Sequence, residues 1–258
     1  MDQKVVVITG ASSGIGAAMA IHMGKLGHQL VLAARREKEL QSVAQRCGQQ
    51  VVPVTCDVSH RHEVEYLRDA AFKAFEHVDV WINNAGRGIT KPVLELTDDE
   101  FDEMMQVNVK SSLYGMQAII PHFREHGTGH LINVSSFLAR VPLASFRSAY
   151  NAAKAALNAL TANLRMDLAT SYPNIHVSLV MPGVVANEFS KHALGGTPQF
   201  SGSRGSMQTQ TSEEVAAIIA ALIEDPKAEI YTNSASADLC RRYYEDVAAF
   251  EAGLRAKS

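Results

Sequence analysis

The run KVVVIT, residues 4–9, leads directly into a glycine-rich turn, and this junction limits the possible folds more than any other stretch. A continuous β-branched run is typical of a strand buried on both faces of a parallel sheet. The turn GASSGIG, residues 10–16, precedes a helical stretch, residues 17–26, that Gly27 ends. Glycines let the backbone approach a pyrophosphate, whose charge a helix N-terminus stabilises. The junction therefore indicates a dinucleotide-binding unit.

The glycine spacing itself leaves two interpretations open. Gly10, Gly14 and Gly16 follow the pattern Gly-x-x-x-Gly-x-Gly, whereas the commoner dinucleotide motif is Gly-x-Gly-x-x-Gly. Glycines also occur in ordinary turns between strands and helices. The position of this turn between a buried strand and a helix favours the nucleotide site.

The alternation of strands and helices continues along the chain. Further strands are predicted at residues 29–34, 50–55, 78–82, 130–134, 175–181 and 229–232. Helices are predicted at 37–47, from about His60, from about residue 98 after the cap Thr97, from Tyr150 past Leu164, and after a cap at residues 212–214. The pattern predicts one α/β domain over residues 1–258, a Rossmann-type doubly wound parallel sheet of about seven strands with helices on both faces.

Two arginines end the second predicted strand, where many dinucleotide folds have an acid. Such an acid, about 20 residues after the glycines, binds the ribose hydroxyls, but here the residues are Arg35 and Arg36. Guanidinium groups match a phosphate monoester in charge and geometry, so the pair favours NADP(H) over NAD(H). The alternative is a solvated pair at a helix start, where the helix dipole disfavours cations. Asp57 is placed to bind an adenine amino group, to cap the next helix, or both.

Tyr150 and Lys154 are four residues apart in a stretch that has no proline or glycine as far as Met166. In a helix, this spacing places both side chains on one face. A free tyrosine has a pKa of about 10, and a neighbouring ammonium favours the phenolate and lowers that pKa towards the range useful for acid–base catalysis. The alternative is a surface tyrosine beside a solvated lysine.

Polar residues follow two further strands of the predicted sheet. Asn83-Asn84-Ala85-Gly86 comes after the fourth strand, and Ser135-Ser136 ends the fifth. The carboxyl ends of parallel strands form the ligand side of such a sheet. Asn108 falls in the middle of a predicted helix, where a polar residue on a wet face is the simpler interpretation.

Composition and charge exclude several classes of protein. The 24 lysines and arginines against 27 aspartates and glutamates leave no positive excess to hold a nucleic acid backbone. Cys47, Cys56 and Cys240 are too widely spaced to suggest disulfides or a thiolate metal site. The histidine pairs at 60 and 62 and at 122 and 126 have no convergent third ligand, so we expect solvated histidines and no metal. With no room for a signal peptide and no membrane-length apolar run, we expect a cytoplasmic protein without membrane contacts.

The last third of the chain contains two segments of different character. Residues 184–211 are rich in glycine and serine and are predicted to form a substrate-binding lid loop. Residues 236–258 are predicted as a helical tail, with an amphipathic helix at 241–256 that covers the site or packs on another subunit. Phe146, Val141 and Phe189 indicate a mostly apolar substrate pocket.

These motifs resemble those of the short-chain dehydrogenase/reductase family over essentially the whole chain. The matches are Thr9-Gly10-x-x-x-Gly14-x-Gly16, Asn83-Asn84-Ala85-Gly86, Asn108, Ser136, Tyr150-x-x-x-Lys154 and Pro182-Gly183. The resemblance implies hydride transfer that depends on NAD(H) or NADP(H), to a carbonyl or from a secondary alcohol, with a small-molecule substrate; the preference for NADP(H) comes from Arg35 and Arg36. It implies that Tyr150 exchanges a proton with the substrate oxygen and that Ser136 hydrogen-bonds the same oxygen. It further implies that Lys154 holds the nicotinamide ribose and lowers the Tyr150 pKa. Asn108 would open its helix locally, so that a water can relay protons to Lys154.

The resemblance also implies a cofactor-binding set and a homodimer or homotetramer that uses the helices of Asn108 and Tyr150. The cofactor-binding set is Gly10, Ser12, Ser13, Gly14, Ile15, Gly16, Arg35, Arg36, Asp57, Val58, Asn84, Ala85, Gly86, Tyr150, Lys154, Pro182, Gly183, Val185 and Asn187. Three positions depart from the family pattern: Ala139 replaces a glycine, Asn187 replaces a threonine, and Ser136 lies one residue further from Tyr150 than is usual, which leaves Ser135 as an alternative. The competing functions are a non-catalytic dinucleotide-sensing regulatory protein and a nucleotide-sugar epimerase or dehydratase, for which the chain after Gly183 is too short.

Overall fold

The computed structural model of the chain describes residues 2–186, 189, 193–196 and 209–255. Seven parallel strands form one sheet in the order β3-β2-β1-β4-β5-β6-β7, as the sequence predicted. The strands are β1 Val5–Thr9, β2 Gln29–Ala34, β3 Val51–Thr55, β4 Val80–Asn83, β5 Gly129–Val134, β6 Ile175–Met181 and β7 Glu229–Tyr231.

Helices cover both faces of this sheet. They are α1 Gly14–Lys25, α2 Glu37–Ala44, α3 Arg61–Phe75, α4 Asp98–Met105, α5 Ser111–His126, α6 Ser148–Ala169, α7 Ser212–Glu224, α8 Ser234–Glu245 and α9 Val247–Arg255. Alternate side chains of β1 enter the two halves of the core, because successive residues of a strand face opposite sides. Val6 and Ile8 pack with α1, α2 and α7, while Val5 and Val7 pack with α3, α5 and α6. The doubly wound fold is confirmed.

The order of the strands reverses between β1 and β4. From β1 the chain continues outwards to β2 and β3, and it then returns to β4 on the other side of β1. In open parallel sheets, ligands bind at the carboxyl edge at such a point. The loops after β1, β4, β5 and β6 therefore form the candidate site.

Two local predictions were wrong. The tail forms two helices, α8 and α9, instead of one helix at 241–256, because Asp246 has an extended backbone that interrupts the helical path. The cap of α7 is Thr211, whose hydroxyl accepts from the Glu214 N–H while the Glu214 carboxylate accepts from the Thr211 N–H. The long helix predicted from residue 98 is present, and a π-helical turn at Gln106–Lys110, which contains Asn108, separates α4 from α5.

Two predictions about side chains also need correction. Val141 is fully buried with Phe137 and Cys240 beneath the tail, so it belongs to the core instead of to a substrate pocket. His122 is not simply solvated, because its Nε2 accepts from the Val78 N–H at 3.3 Å. Among the described residues, no helix is long and apolar enough to cross a membrane, and no group of three or more His, Cys, Asp or Glu residues could hold a metal ion.

Candidate active site

The glycine turn after β1 is held against the end of β4 by hydrogen bonds. The Thr9 hydroxyl accepts from the backbone N–H groups of Asn84 and Ala85 at 3.0 and 3.1 Å. The Asn84 side chain donates to the Thr9 carbonyl at 2.9 Å. Gly10 has φ of 69°, which glycine adopts without strain, and an added Cβ there would lie 2.8 Å from the Ala85 Cα. The side chain of Asn84 therefore shapes the turn that a cofactor would contact.

Arg36 and Arg35 reach different parts of this edge. The Arg36 guanidinium donates to the hydroxyls of Ser12 and Ser13 at 3.1 and 2.6 Å, so it lies on the glycine turn. The Arg35 side chain is 61% exposed, with Nη1 3.7 Å from Asp57 Oδ2. The two cations thus flank the turn, one bound to it and one towards solvent.

Asp57 does not cap the following helix. Its carboxylate accepts from the Ser59 N–H at 3.0 Å and from the Ser59 hydroxyl at 2.7 Å, and the N-cap of α3 is His60. Burial acts to raise the Asp57 pKa, but the two Ser59 hydrogen bonds and the charge of Arg35 outweigh it, and the pKa is lowered. Asp57 is therefore an ionised acceptor beside β3. Nearby, Val58 is buried.

Ser136 and Tyr150 meet at the carboxyl edge of β5 and the first turn of α6. Tyr150 is 8% exposed, and its phenol lies close enough to the Ser136 side chain for that hydroxyl to act on the Tyr150 pKa. The Ser136 hydroxyl also accepts from the Leu138 N–H at 3.2 Å, which begins a short 3-10 turn. Ser135 instead donates to Asn158 Oδ1 at 2.5 Å, within the interior. Of the two serines, Ser136 is the one that shares a site with Tyr150.

Lys154 follows Tyr150 by one turn of α6, as the spacing predicted. Its Nζ lies 5.9 Å from the centre of the Tyr150 ring and donates to the Val134 carbonyl at 2.9 Å. Burial lowers the pKa of the Lys154 ammonium to about 8. The ammonium and the phenol thus occupy one face of α6, behind the end of β5.

The predicted lowering of the Tyr150 pKa is not what the structure gives. Burial raises this pKa, and the Ser136 hydrogen bond and the charge of Arg147 offset the effect only in part. The ring packs in an apolar cluster with Ile89, Met104 and Ala149, where a phenolate is poorly solvated. The prediction considered the neighbouring ammonium and not the cost of burial.

Asn108 lies in the π-helical turn between α4 and α5 and is 0% exposed. Its side-chain amide donates to the Arg87 carbonyl at 2.9 Å and accepts from the Arg87 N–H at 3.2 Å. The interpretation as a polar residue on a wet face is thus wrong. Gly86 fits against this arrangement, since a Cβ there would lie 2.9 Å from Asn108 Oδ1 and 3.5 Å from Lys154 Nζ. The segment after β4 therefore contacts both the glycine turn and the Tyr150 cluster.

The remaining predicted site residues lie around the end of β6. Pro182 and Gly183 follow the strand, and the Gly183 N–H donates to the Thr232 hydroxyl at 3.4 Å. Val185 pairs with Gln210 in a short β-bridge. Asn187 and most of the predicted lid, residues 184–211, lie outside the described residues. Phe189 is described, and its ring centre is 5.6 Å from that of Tyr150.

Sequence reasoning missed two features of the site. Arg147 is 7% exposed and donates to the Ile89 carbonyl at 3.2 Å. A buried polar network lies below the site, with Asn83 Nδ2 donating to Asn133 Oδ1 at 2.9 Å and Asn133 Nδ2 donating to the Thr161 hydroxyl at 2.9 Å. Arg147 stands three residues before Tyr150, a spacing that could have drawn attention to it, whereas the asparagines give no signal in sequence.

A glycine turn at the switch point of a parallel sheet, with a serine, a tyrosine and a lysine beside it, defines a nucleotide-binding α/β protein with a candidate catalytic site. The sequence profile of the short chain dehydrogenase family matches residues 4–194, and the chain belongs to this family. It is similar to an uncharacterized oxidoreductase of Staphylococcus saprophyticus, with 37% identity over 193 residues that cover 74% of this chain and 78% of the relative. An uncharacterized oxidoreductase of Staphylococcus epidermidis is 33% identical over 185 residues, 72% of this chain and 79% of the relative.

Solved structures of related proteins show the same fold. A short chain dehydrogenase/reductase from Burkholderia phymatum in complex with NAD superposes with a TM-score of 0.86 at 28% identity, covering 96% of this chain and 95% of the other. An alcohol dehydrogenase from the archaeon Thermococcus sibiricus complexed with 5-hydroxy-NADP superposes with a TM-score of 0.76 at 28% identity, covering 89% and 96%. These two structures contain different nicotinamide dinucleotides, so a nicotinamide cofactor is supported, without a preference for either form.

Proposed function

We propose that the protein is an NADP(H)-dependent oxidoreductase that interconverts a carbonyl and a secondary alcohol on a small molecule, with Tyr150 as the general acid and base. The observation that carries the proposal is the placement of two groups beside the Tyr150 phenol: the Ser136 hydroxyl, which acts to lower the Tyr150 pKa, and Lys154 Nζ, 5.9 Å from the centre of the ring. A hydroxyl donor and a phenol side by side can both hydrogen-bond a carbonyl oxygen and stabilise the negative charge that develops on it during reduction. The site also faces the edge of the sheet where the family binds its cofactor.

The residues present fit a nicotinamide dinucleotide. The glycines leave the backbone of the turn accessible next to the first turn of α1, where the N–H groups and the helix dipole favour binding of a pyrophosphate. Asp57 is an acceptor suited to an adenine amino group. Lys154 has three donors, and one of them is used on Val134, so the other two suit ribose hydroxyls. Residues 84–86, Pro182, Gly183 and Val185 would line the groove between these points. Asn187 is proposed as a further contact by analogy with the family.

When bound, the nicotinamide supplies or accepts the hydride. In the reductive direction Tyr150 donates its hydroxyl proton to the substrate oxygen, while Ser136 donates a hydrogen bond to the same oxygen. Lys154 holds a positive charge behind the phenolate that results. Asn108 fixes the backbone of Arg87 and the π-helical turn, which supports a water relay that returns a proton through Lys154. In the oxidative direction Tyr150 acts as the base, and the same proton path runs in reverse.

The preference for NADP(H) is supported by the two arginines at the end of β2. The 2′-phosphate is the group that distinguishes the two cofactors, and guanidinium groups bind a phosphate bidentately. Arg36 is already oriented on the glycine turn by Ser12 and Ser13, and Arg35 adds a second cation close by.

Replacing both arginines with alanine is expected to weaken NADPH binding by at least about 10- to 100-fold, since even one charge-assisted hydrogen bond contributes on the order of 1.5–3 kcal/mol. NADH binding is expected to change by less than about threefold, because it has no 2′-phosphate. Titration of cofactor fluorescence measures both affinities. Arg242→Ala, which alters an exposed arginine on α8, is the matched control. Tighter binding of NADH than of NADPH by the unmodified chain would contradict the preference.

A further inference from the structure

Arg147 is a buried cation next to the proposed catalytic tyrosine. It occupies the N-cap position of α6, three residues before Tyr150, and residues at this spacing share one helix face. Arg147 is 7% exposed and Tyr150 8%. A cation at a helix N-terminus is opposed by the helix dipole, and a buried charge is costly to desolvate. A neutral side chain would avoid both costs.

The surroundings fix the guanidinium in place. Its Nη1 donates to the Ile89 carbonyl at 3.2 Å, and Ile89 itself packs in the apolar cluster around Tyr150. A Cβ added to Gly88 would lie 2.6 Å from the same nitrogen, so the guanidinium packs against the backbone of Gly88. The Phe146 ring is 5.8 Å from the guanidinium carbon. The Arg147 guanidinium is therefore held against residues 88 and 89, next to the apolar cluster that surrounds the Tyr150 ring.

Other charges near Tyr150 are placed differently. Lys154 lies behind the ring, where its ammonium is bound to Val134. Arg87 and Lys91, on the segment after β4, form ion pairs with Glu103 and Glu100. Ser136, Met104 and Asn108, from the other elements packed here, are uncharged. Lys154 and Arg147 are thus two cations close to the Tyr150 ring, and the charge of Arg147 acts to lower the Tyr150 pKa.

We propose that Arg147 is a positioning residue that stabilises the Tyr150 phenolate during proton transfer, in addition to Lys154. The inference rests on the proposed function, because the phenolate forms when Tyr150 gives its proton to the substrate oxygen as hydride reaches the carbonyl carbon. Arg147 transfers no proton, since a guanidinium remains protonated in proteins. Its charge offsets part of the cost of burying the phenolate, which the buried site would otherwise oppose.

Two substitutions separate the charge of Arg147 from its hydrogen bond. Arg147→Gln keeps a donor for the Ile89 carbonyl and removes the charge, whereas Arg147→Lys keeps the charge and removes the planar fork. With NADP+ and a secondary alcohol, Tyr150 must be ionised to act as the base, so the rate rises with pH through the phenol pKa. Removing the charge moves this rise to higher pH. We expect Arg147→Gln to lower kcat/KM for oxidation at pH 7 by about tenfold, and Arg147→Lys to lower it by about twofold or less.

The phenol can also be observed without turnover. The ultraviolet absorbance of phenolate is titrated with pH in the full chain saturated with NADP+, and the titration of Tyr150→Phe is subtracted to isolate Tyr150. Arg147→Gln should move this ionisation to higher pH, while Arg147→Lys should leave it near that of the unmodified chain. Gly88→Ala, which displaces the guanidinium without removing it, should give an intermediate shift and is the second variant if Arg147→Gln does not fold.

The outcomes distinguish the inference from the proposed function. If the pKa of Tyr150 is unchanged in Arg147→Gln, the inference is overturned. It is also overturned if both Arg147 variants lose activity equally without a shift in the pH profile, because Arg147 would then act only in supporting the structure. If no alcohol or carbonyl is turned over, the proposed function fails, while the absorbance titration still decides the role of Arg147.

Discussion

Replacing Tyr150 with phenylalanine is expected to lower kcat for carbonyl reduction by about 10²- to 10⁴-fold, the usual contribution of a general acid. The substitution removes the hydroxyl beside Ser136 and leaves the ring in its apolar cluster with Ile89, Met104 and Ala149. Proton transfer to the substrate oxygen would then depend on a water molecule, which is a much weaker acid than a positioned phenol. Loss of NADPH absorbance in the presence of a carbonyl substrate measures the effect.

The controls for this variant separate chemistry from folding and binding. NADPH affinity, measured by fluorescence, should change by less than about threefold, because the phenol is a minor part of the cofactor contacts. Tyr66→Phe, at a tyrosine that is 64% exposed, is the matched substitution and should leave both rate and affinity unchanged. Undiminished turnover by Tyr150→Phe would refute the assignment of Tyr150 as the acid.

Gly16→Ala is expected to have the second large effect, on both stability and cofactor binding. An added Cβ would overlap the carbonyl oxygen of Gly10 and lie 2.7 Å from the Asn84 side-chain nitrogen. Overpacking of this kind costs about 1–3 kcal/mol, since neither the turn nor the end of β4 can retreat without breaking the Thr9 hydrogen bonds. The turn would move out of the position in which it can approach a pyrophosphate, and NADPH affinity should fall by at least about tenfold.

Urea denaturation and fluorescence titration measure the two effects of Gly16→Ala separately. Gly253→Ala is the matched control, because a Cβ at this helical glycine meets nothing within 4 Å. In that position alanine should be neutral or stabilise by up to about 1 kcal/mol, the difference in helix propensity. A Gly16→Ala variant with unchanged stability and affinity would show that the close approach of the turn to β4 is not required.

The strands of the sheet could be predicted because each has a recognisable local sequence pattern. All seven predicted strands agree with the structure to within two residues at either end. Buried parallel strands are short apolar runs, several of them rich in β-branched residues, and glycine, asparagine or serine follows most of them. The break in the tail at Asp246 was missed because it is a matter of backbone conformation in an otherwise amphipathic stretch. The π-helical turn at Gln106–Lys110 has no compositional signal of its own, and the family resemblance suggested a local opening only through Asn108.

The candidate site was harder to predict where tertiary contacts decide its chemistry. Spacing indicated that Tyr150 and Lys154 share a helix face, but it could not give the burial that raises the pKa of Tyr150 and lowers that of Lys154 to about 8. Arg147 was not predicted because its burial comes from the segment after β4, more than fifty residues away in sequence. Val141 was wrongly assigned to the substrate pocket for the same reason, since the residues of α8 and α9 that cover it lie far later in the sequence.

Oxidation of NADPH by the unmodified chain across a panel of ketones, aldehydes, keto acids and keto esters tests the central claim most directly. The proposed function requires that at least one carbonyl class causes loss of NADPH absorbance, with formation of the corresponding alcohol in equal amount. Tight binding of NADPH without turnover of any carbonyl, or of any secondary alcohol with NADP+, would contradict the claim and identify the chain as a dinucleotide-sensing protein.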